Sequence, residues 1–228
     1  MKKILVIGCS FTNGSYVKNL DPNKMTPDMV DNHKGWWYYV DYFKDKDVTV
    51  VACSSQGYFG YLQIMLYMIK DLKWSFNEVW VQETKEPRIC FNSFKKTIKM
   101  FQTPKQIDNF RYYATKYHTL LHLHSKHAKE ENLQFSIHND FNKRIVSAAF
   151  NIFRNVCKNN NIKGYRIAFD NYIKNNAKNP FVDIDENLHL TLHKAGFLVE
   201  NNIDCHQTEE GNMYIGKLIN KACIDMKI

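Results

Sequence analysis

The stretch that decides the fold is Lys2-Lys-Ile-Leu-Val-Ile-Gly-Cys-Ser-Phe-Thr-Asn-Gly14. Ile4, Leu5, Val6 and Ile7 form an unbroken apolar run, and Gly8 and Gly14 bracket the small-residue turn after it. Such a run, rich in β-branched residues, marks a strand buried on both faces, as in the middle of a parallel sheet. Ser10 then falls just past the strand's carboxyl end, the edge at which open α/β sheets bind ligands. The flanking glycines permit tight backbone approach. Two readings of Ser10 stay open on these residues: a nucleophile displayed at the sheet edge, or a hydroxyl that caps the following helix.

The pattern repeats down the chain. Val48–Cys53 reads as a second strand and runs into the small-residue turn Ser54-Ser-Gln-Gly-Tyr-Phe-Gly60, followed by an apolar helix over Tyr61–Leu72. Asn77–Thr84 reads as a third strand, ended by Lys85-Glu-Pro-Arg88. The order β-α-β-α-β predicts an α/β fold with a central parallel sheet and right-handed crossovers. Before the second strand, the polar segment Asp21–Asp28 with Pro22 and Pro27 is a loop. Gly35–Phe43 is an aromatic helix expected to pack on the sheet or on a substrate rim.

Ile89 to about Phe141 breaks the pattern: it is basic and aromatic, with Phe91, Phe94, Phe101, Phe110, Tyr112, Tyr113 and Tyr117. It is too long for a simple loop. The expectation is one domain over residues 1–228 carrying a helical insertion at about 89–141, a candidate lid over the carboxyl edge. Lys143–Asn159 resumes as an amphipathic helix, with Ile145, Val146, Ala149, Phe150, Phe153 and Val156 at helical spacing. Ile162–Asp170 is a fourth strand and 175–187 a polar linker. The last helix spans Asn212–Ile224, with Thr208 as a candidate cap.

Composition bounds the function classes. A chain of 228 residues with 44% hydrophobic content supports one substantial core. No apolar run reaches membrane-spanning length and no leader precedes the first strand, so a soluble, cytoplasmic protein is expected. Six cysteines without a CxxC pair argue against a disulfide scaffold and a thiolate zinc site. The net charge of +8 is spread along the chain with no nucleic-acid-binding motif, which disfavours specific nucleic-acid binding. His118 and His122 stand four apart, joined by His124 and His127, but no Glu follows the first as a metalloprotease motif needs. They read as a solvated helix face; no metal and no cofactor are expected.

Near the carboxyl terminus, Asp204-Cys-His-Gln-Thr-Glu-Glu-Gly211 places an acid and an imidazole in one loop before the final helix. A serine nucleophile needs such a base and its orienter.

Taken together, Gly8-Cys-Ser10, the Gly57 turn, the end of the third strand and Asp204–Gly211 resemble the SGNH (GDSL-like) hydrolases. The resemblance frames the chain from Lys3 to Ile224, apart from the insertion. It implies a flavodoxin-like three-layer α/β/α sandwich and metal-free ester hydrolysis or acyl transfer. It implies Ser10 as nucleophile, His206 as general base and Asp204 as its orienter, with the backbone N–H groups of Ser10 and Gly57 in the oxyanion hole. The chain departs from the family in two ways. Glu83-Thr84-Lys85-Glu86 stands where the family has Gly-x-Asn-Asp, whose Asn side chain is the third oxyanion donor. Thr84, Lys85 or Arg88 would have to replace it, and an unreplaced donor costs about 3–4 kcal/mol of transition-state stabilisation. Asp204 also lies two residues before His206 rather than the usual three. Asn13, Lys85 and Arg88 are the candidate substrate-binding residues, and the expected substrate is a small-molecule or carbohydrate ester, anionic groups included. The alternative reading is a module of the same fold with a weakened site that binds a ligand or partner protein.

Overall fold

A computed structural model of the chain describes residues 1–13, 34–53, 57–82, 104–115, 139–167, 188–198 and 207–228. Strand β1 (Lys3–Gly8) is followed at once by a single helical turn, α1 (Ser10–Asn13). Two 3-10 turns, Trp36–Tyr39 and Asp41–Phe43, lead into β2 (Asp47–Cys53). Helix α2 (Tyr58–Leu66) continues as a π-helical turn, Tyr67–Asp71, before β3 (Glu78–Gln82). Strands β4 (Lys105–Ile107) and β5 (Phe110–Thr115) form a hairpin, and helix α3 (Asn139–Asn159) precedes β6 (Lys163–Ile167). Helices α4 (Leu188–Lys194) and α5 (Glu209–Asp225) complete the described chain.

Among the described residues, six strands make one sheet in the order β4-β5-β2-β1-β3-β6. Every pairing is parallel except β4 with β5. The expected mostly parallel α/β sheet is therefore present. The expected helical insertion at about 89–141 is corrected over 105–115, where the chain forms β4 and β5, and β5 extends the parallel sheet beyond β2. The reason is a period of two: Phe110 and Tyr112 face one side of the sheet, in register with Val48 and Val50, while Arg111 and Tyr113 face the other. Apart from the start of α3, the rest of that segment, with His118, His122, His124 and His127, lies outside the described residues.

β1 and β3 are buried throughout except at Lys3, as a central parallel strand requires. One face carries Ile4, Val6, Val50 and Trp80, and against it pack the 3-10 turns through Trp36, Trp37 and Phe43, all fully buried. Trp37 stacks on Tyr112 at 5.5 Å between ring centroids, and Phe43 meets Trp80 edge-on at 5.1 Å. The aromatic run is thus core, and it is not the continuous helix expected: Val40 adopts an extended conformation and divides it in two. Helix α5 lies on the first 3-10 turn because Gly216 has no side chain; a Cβ there would come within 2.6 Å of the Tyr39 Cβ. Each large aromatic buried in this layer contributes roughly 1.5–3 kcal/mol. The opposite face is covered by α2 and α3, where Tyr58 meets Phe150 at 5.0 Å.

At the amino-terminal edge, Glu78 is buried and accepts hydrogen bonds from Tyr42 Oη at 2.7 Å, Lys2 Nζ at 3.3 Å and Trp80 Nε1 at 3.3 Å. Burial, and then the Glu78 carboxylate, push the Tyr42 hydroxyl well above its ordinary range and that of Tyr165 up to about 12. Cys9, Cys157 and Cys223 are buried free thiols. Among the described residues, no helix is long and apolar enough to cross a membrane.

Candidate functional site

The carboxyl edge of the sheet is organised around the turn from β1 into α1. Thr12 N donates to the Cys9 carbonyl at 3.0 Å, so the chain reverses tightly at the strand end. That reversal depends on Gly8, because a Cβ there would lie 1.7 Å from Thr12 Oγ1 and 2.6 Å from Thr12 Cβ. Ser10 is the first residue of this turn and Asn13 the last; the side chains of both lie outside the described residues.

Two buried amides hold the turn. Gln82, the last residue of β3, accepts through Oε1 from Trp36 Nε1 at 2.8 Å and from Thr12 Oγ1. An indole N–H can only donate, so the oxygen must face Trp36 and the NH₂ must face away. That Nε2 is buried and has no hydrogen-bond partner among the described residues. Trp37 Nε1 closes the arrangement by donating to the Thr12 carbonyl at 2.8 Å. Gln207 donates through Nε2 to the Phe11 carbonyl at 2.6 Å and to Asn212 Oδ1 at 2.9 Å. A carbonyl can only accept, which fixes this amide too and leaves its buried Oε1 without a partner among the described residues.

Gln207 also forms an isolated antiparallel bridge with Leu198, and Thr208 N donates to the Phe197 carbonyl at 2.8 Å. Leu198 and Gln207 therefore lie side by side, and Gln207 is tied to α1. Thr208 caps α5 as expected, its hydroxyl accepting from Gly211 N at 3.2 Å. Gly57 stands at the amino end of α2, buried and extended, with its carbonyl accepting from Tyr61 N at 3.1 Å.

Of the predicted site residues, Ser10, Asn13 and Gly57 lie on the carboxyl side of β1 and β2. Thr84, Lys85, Arg88, Asp204 and His206 lie outside the described residues. Sequence reasoning passed over Thr12, Gln82 and Gln207 as site residues. A signal for Gln82 existed, since a glutamine ends an otherwise apolar run at Val79-Trp-Val81. Among the described residues, no group of three or more His, Cys, Asp or Glu side chains could hold a metal ion. Scanned against protein-family models and against curated proteins, the chain matches none.

Proposed function

We propose that the chain is a serine ester hydrolase of the SGNH (GDSL-like) kind, with the flavodoxin-like three-layer sandwich of that family. The observation that carries the reading is the Gln207–Phe11 hydrogen bond: the residue after His206 is bonded to the residue after Ser10. Two motifs some two hundred positions apart in the chain thus meet at the carboxyl edge of the central strand, where ligands of open α/β sheets bind. The β2-β1-β3 core of the sheet and the helices on both faces support the fold assignment.

In this mechanism Ser10 Oγ attacks the acyl carbon while His206 takes its proton, and Asp204 orients the imidazole and stabilises its charged form. The carbonyl oxygen becomes an oxyanion that receives the backbone N–H groups of Ser10 and Gly57. Gln82 Nε2, buried and without an acceptor among the described residues, is a side-chain donor at the end of β3 in place of the missing Asn. Collapse of the intermediate expels the alcohol with the proton from His206. Water, activated by the same imidazole, then releases the acid and restores Ser10. Asn13, Lys85 and Arg88 contact a small-molecule or carbohydrate ester in this reading. The buried free thiols support a reducing, cytoplasmic setting.

A fluorophosphonate probe with peptide mapping tests the assignment: the label falls on Ser10 and is lost in His206→Ala. Labelling elsewhere, with Ser10 untouched, would refute it. The alternative of a weakened binding module rests on Glu83-Thr-Lys-Glu86 in place of the family's Asn-bearing motif. No label at any serine, with ester ligands still bound, would favour it.

A further inference from the structure

At the opposite end of the same strands lies a cavity of about 270 Å³ between the sheet and the segment 73–76. Thr49 lines it from the sheet and is buried, yet its hydroxyl makes no hydrogen bond among the described residues. Trp74 and Phe76 give it apolar walls. Its charged lining is Lys3, Lys73, Arg111 and Asp47. Arg111 Nη2 reaches both Asp47 oxygens, at 2.5 and 2.7 Å, so the acid is neutralised within the site and Lys3 and Lys73 leave it two positive charges in excess. Neither lysine ammonium has a carboxylate partner among the described residues.

The covering segment has an unusual backbone. It follows the π-helical turn Tyr67–Asp71, a form that recurs at functional sites. Lys73 then adopts φ 56°, the left-handed region, which a lysine occupies at a cost on the order of 1–3 kcal/mol. Trp74 N donates to the Met68 carbonyl at 2.9 Å, which fixes the segment over the sheet.

We infer that this cavity binds a small anion carrying a planar apolar body, such as an aromatic carboxylate or phosphate. The two lysines and the Thr49 hydroxyl take the anionic group, and Trp74 and Phe76 take the ring. The site is separate from the proposed ester-cleaving edge, since five residues of β1 at about 3.3 Å each put roughly 17 Å between Lys3 and Gly8.

The test is a titration of the full chain with phenyl phosphate, followed by the Trp74 indole N–H resonance, with phenol and inorganic phosphate as partial probes. Phenyl phosphate is expected to saturate with a Kd on the order of 1 mM or tighter. Each partial probe should bind at least tenfold more weakly. Lys73→Asn, which tolerates the left-handed backbone, and separately Lys3→Gln should each weaken binding at least fivefold with Ser10 labelling unchanged and without lowering the unfolding temperature. Absence of saturation, or wild-type affinity in both variants, would overturn the inference whatever the fluorophosphonate result.

Discussion

Gln207 Nε2 stands 2.6 Å from the Phe11 carbonyl, and this one hydrogen bond joins the residue beside His206 to the turn bearing Ser10. Gln207→Met keeps the volume but removes the donor, and with it the hydrogen bonds to the Phe11 carbonyl and Asn212 Oδ1, each worth about 0.5–1.5 kcal/mol. Urea unfolding should show that loss, and the rate of fluorophosphonate labelling at Ser10 should fall at least fivefold. Lost stability with an undiminished labelling rate would mean that the bond serves the fold alone.

Gly8→Ala should be more damaging than an exposed glycine replacement. The added methyl meets Thr12 Oγ1 at 1.7 Å and Thr12 Cβ at 2.6 Å, so α1 must shift off the strand end. A destabilisation of about 2–4 kcal/mol and loss of labelling are expected. Wild-type unfolding in this variant would show that the turn relaxes freely.

Tyr42→Phe removes a hydrogen bond of 2.7 Å to the buried Glu78 carboxylate. Bonds to charged groups are worth about 1.5–3 kcal/mol. Denaturant titration should show a loss in that range, and an unchanged midpoint would assign the holding of Glu78 to Lys2 and Trp80 instead.

Alkaline conditions should unfold the protein by a predictable route. Burial pushes the Cys157 and Cys223 thiols up from 9.0 to about 11. The folded chain therefore holds these protons more tightly than the unfolded chain. Their contribution is complete below pH 9 and falls away as pH rises towards 11. The unfolding temperature should drop across that window, and less steeply in the Cys157→Ala, Cys223→Ala double variant. An equal slope in both proteins would contradict the role of the thiols.

Hydrolysis, if Ser10 and His206 act as proposed, should rise as the imidazole loses its proton, around or slightly above a pKa of about 6.5. Asp204→Asn preserves shape but removes the orienting charge, and kcat should fall by orders of magnitude. A near-wild-type rate, with His206→Ala inactive, would leave a Ser-His dyad and displace Asp204.

β1, β2 and β3 were legible because buried parallel strands advertise themselves as apolar runs, and Ile4–Ile7 is such a run. Phe110–Thr115 was not legible, since its aromatic residues suit a helix face as well as a strand, and only pairing with β2 decides between them. Ser10 could be placed just past the end of β1, and Gly57 between β2 and α2, from the apolar runs that precede their small-residue turns. The roles of Gln82 and Gln207 could not, because an amide's orientation is set by whether a donor or an acceptor faces it.

The β4–β5 hairpin also bears on how the protein behaves at high concentration. Among the described residues it makes the outermost strand of the sheet only three residues long, Lys105–Ile107, exposed at Lys105 and Gln106 and running against the strand beside it. Asn109 fastens its turn to the body of the protein, donating to the Phe43 and Lys46 carbonyls at 2.8 and 2.7 Å. A second molecule seeking to extend the sheet there meets a short, charged border instead of the long parallel flank of β5. The hairpin thus acts as a hem, and it guards this side of the sheet against growth by strand addition.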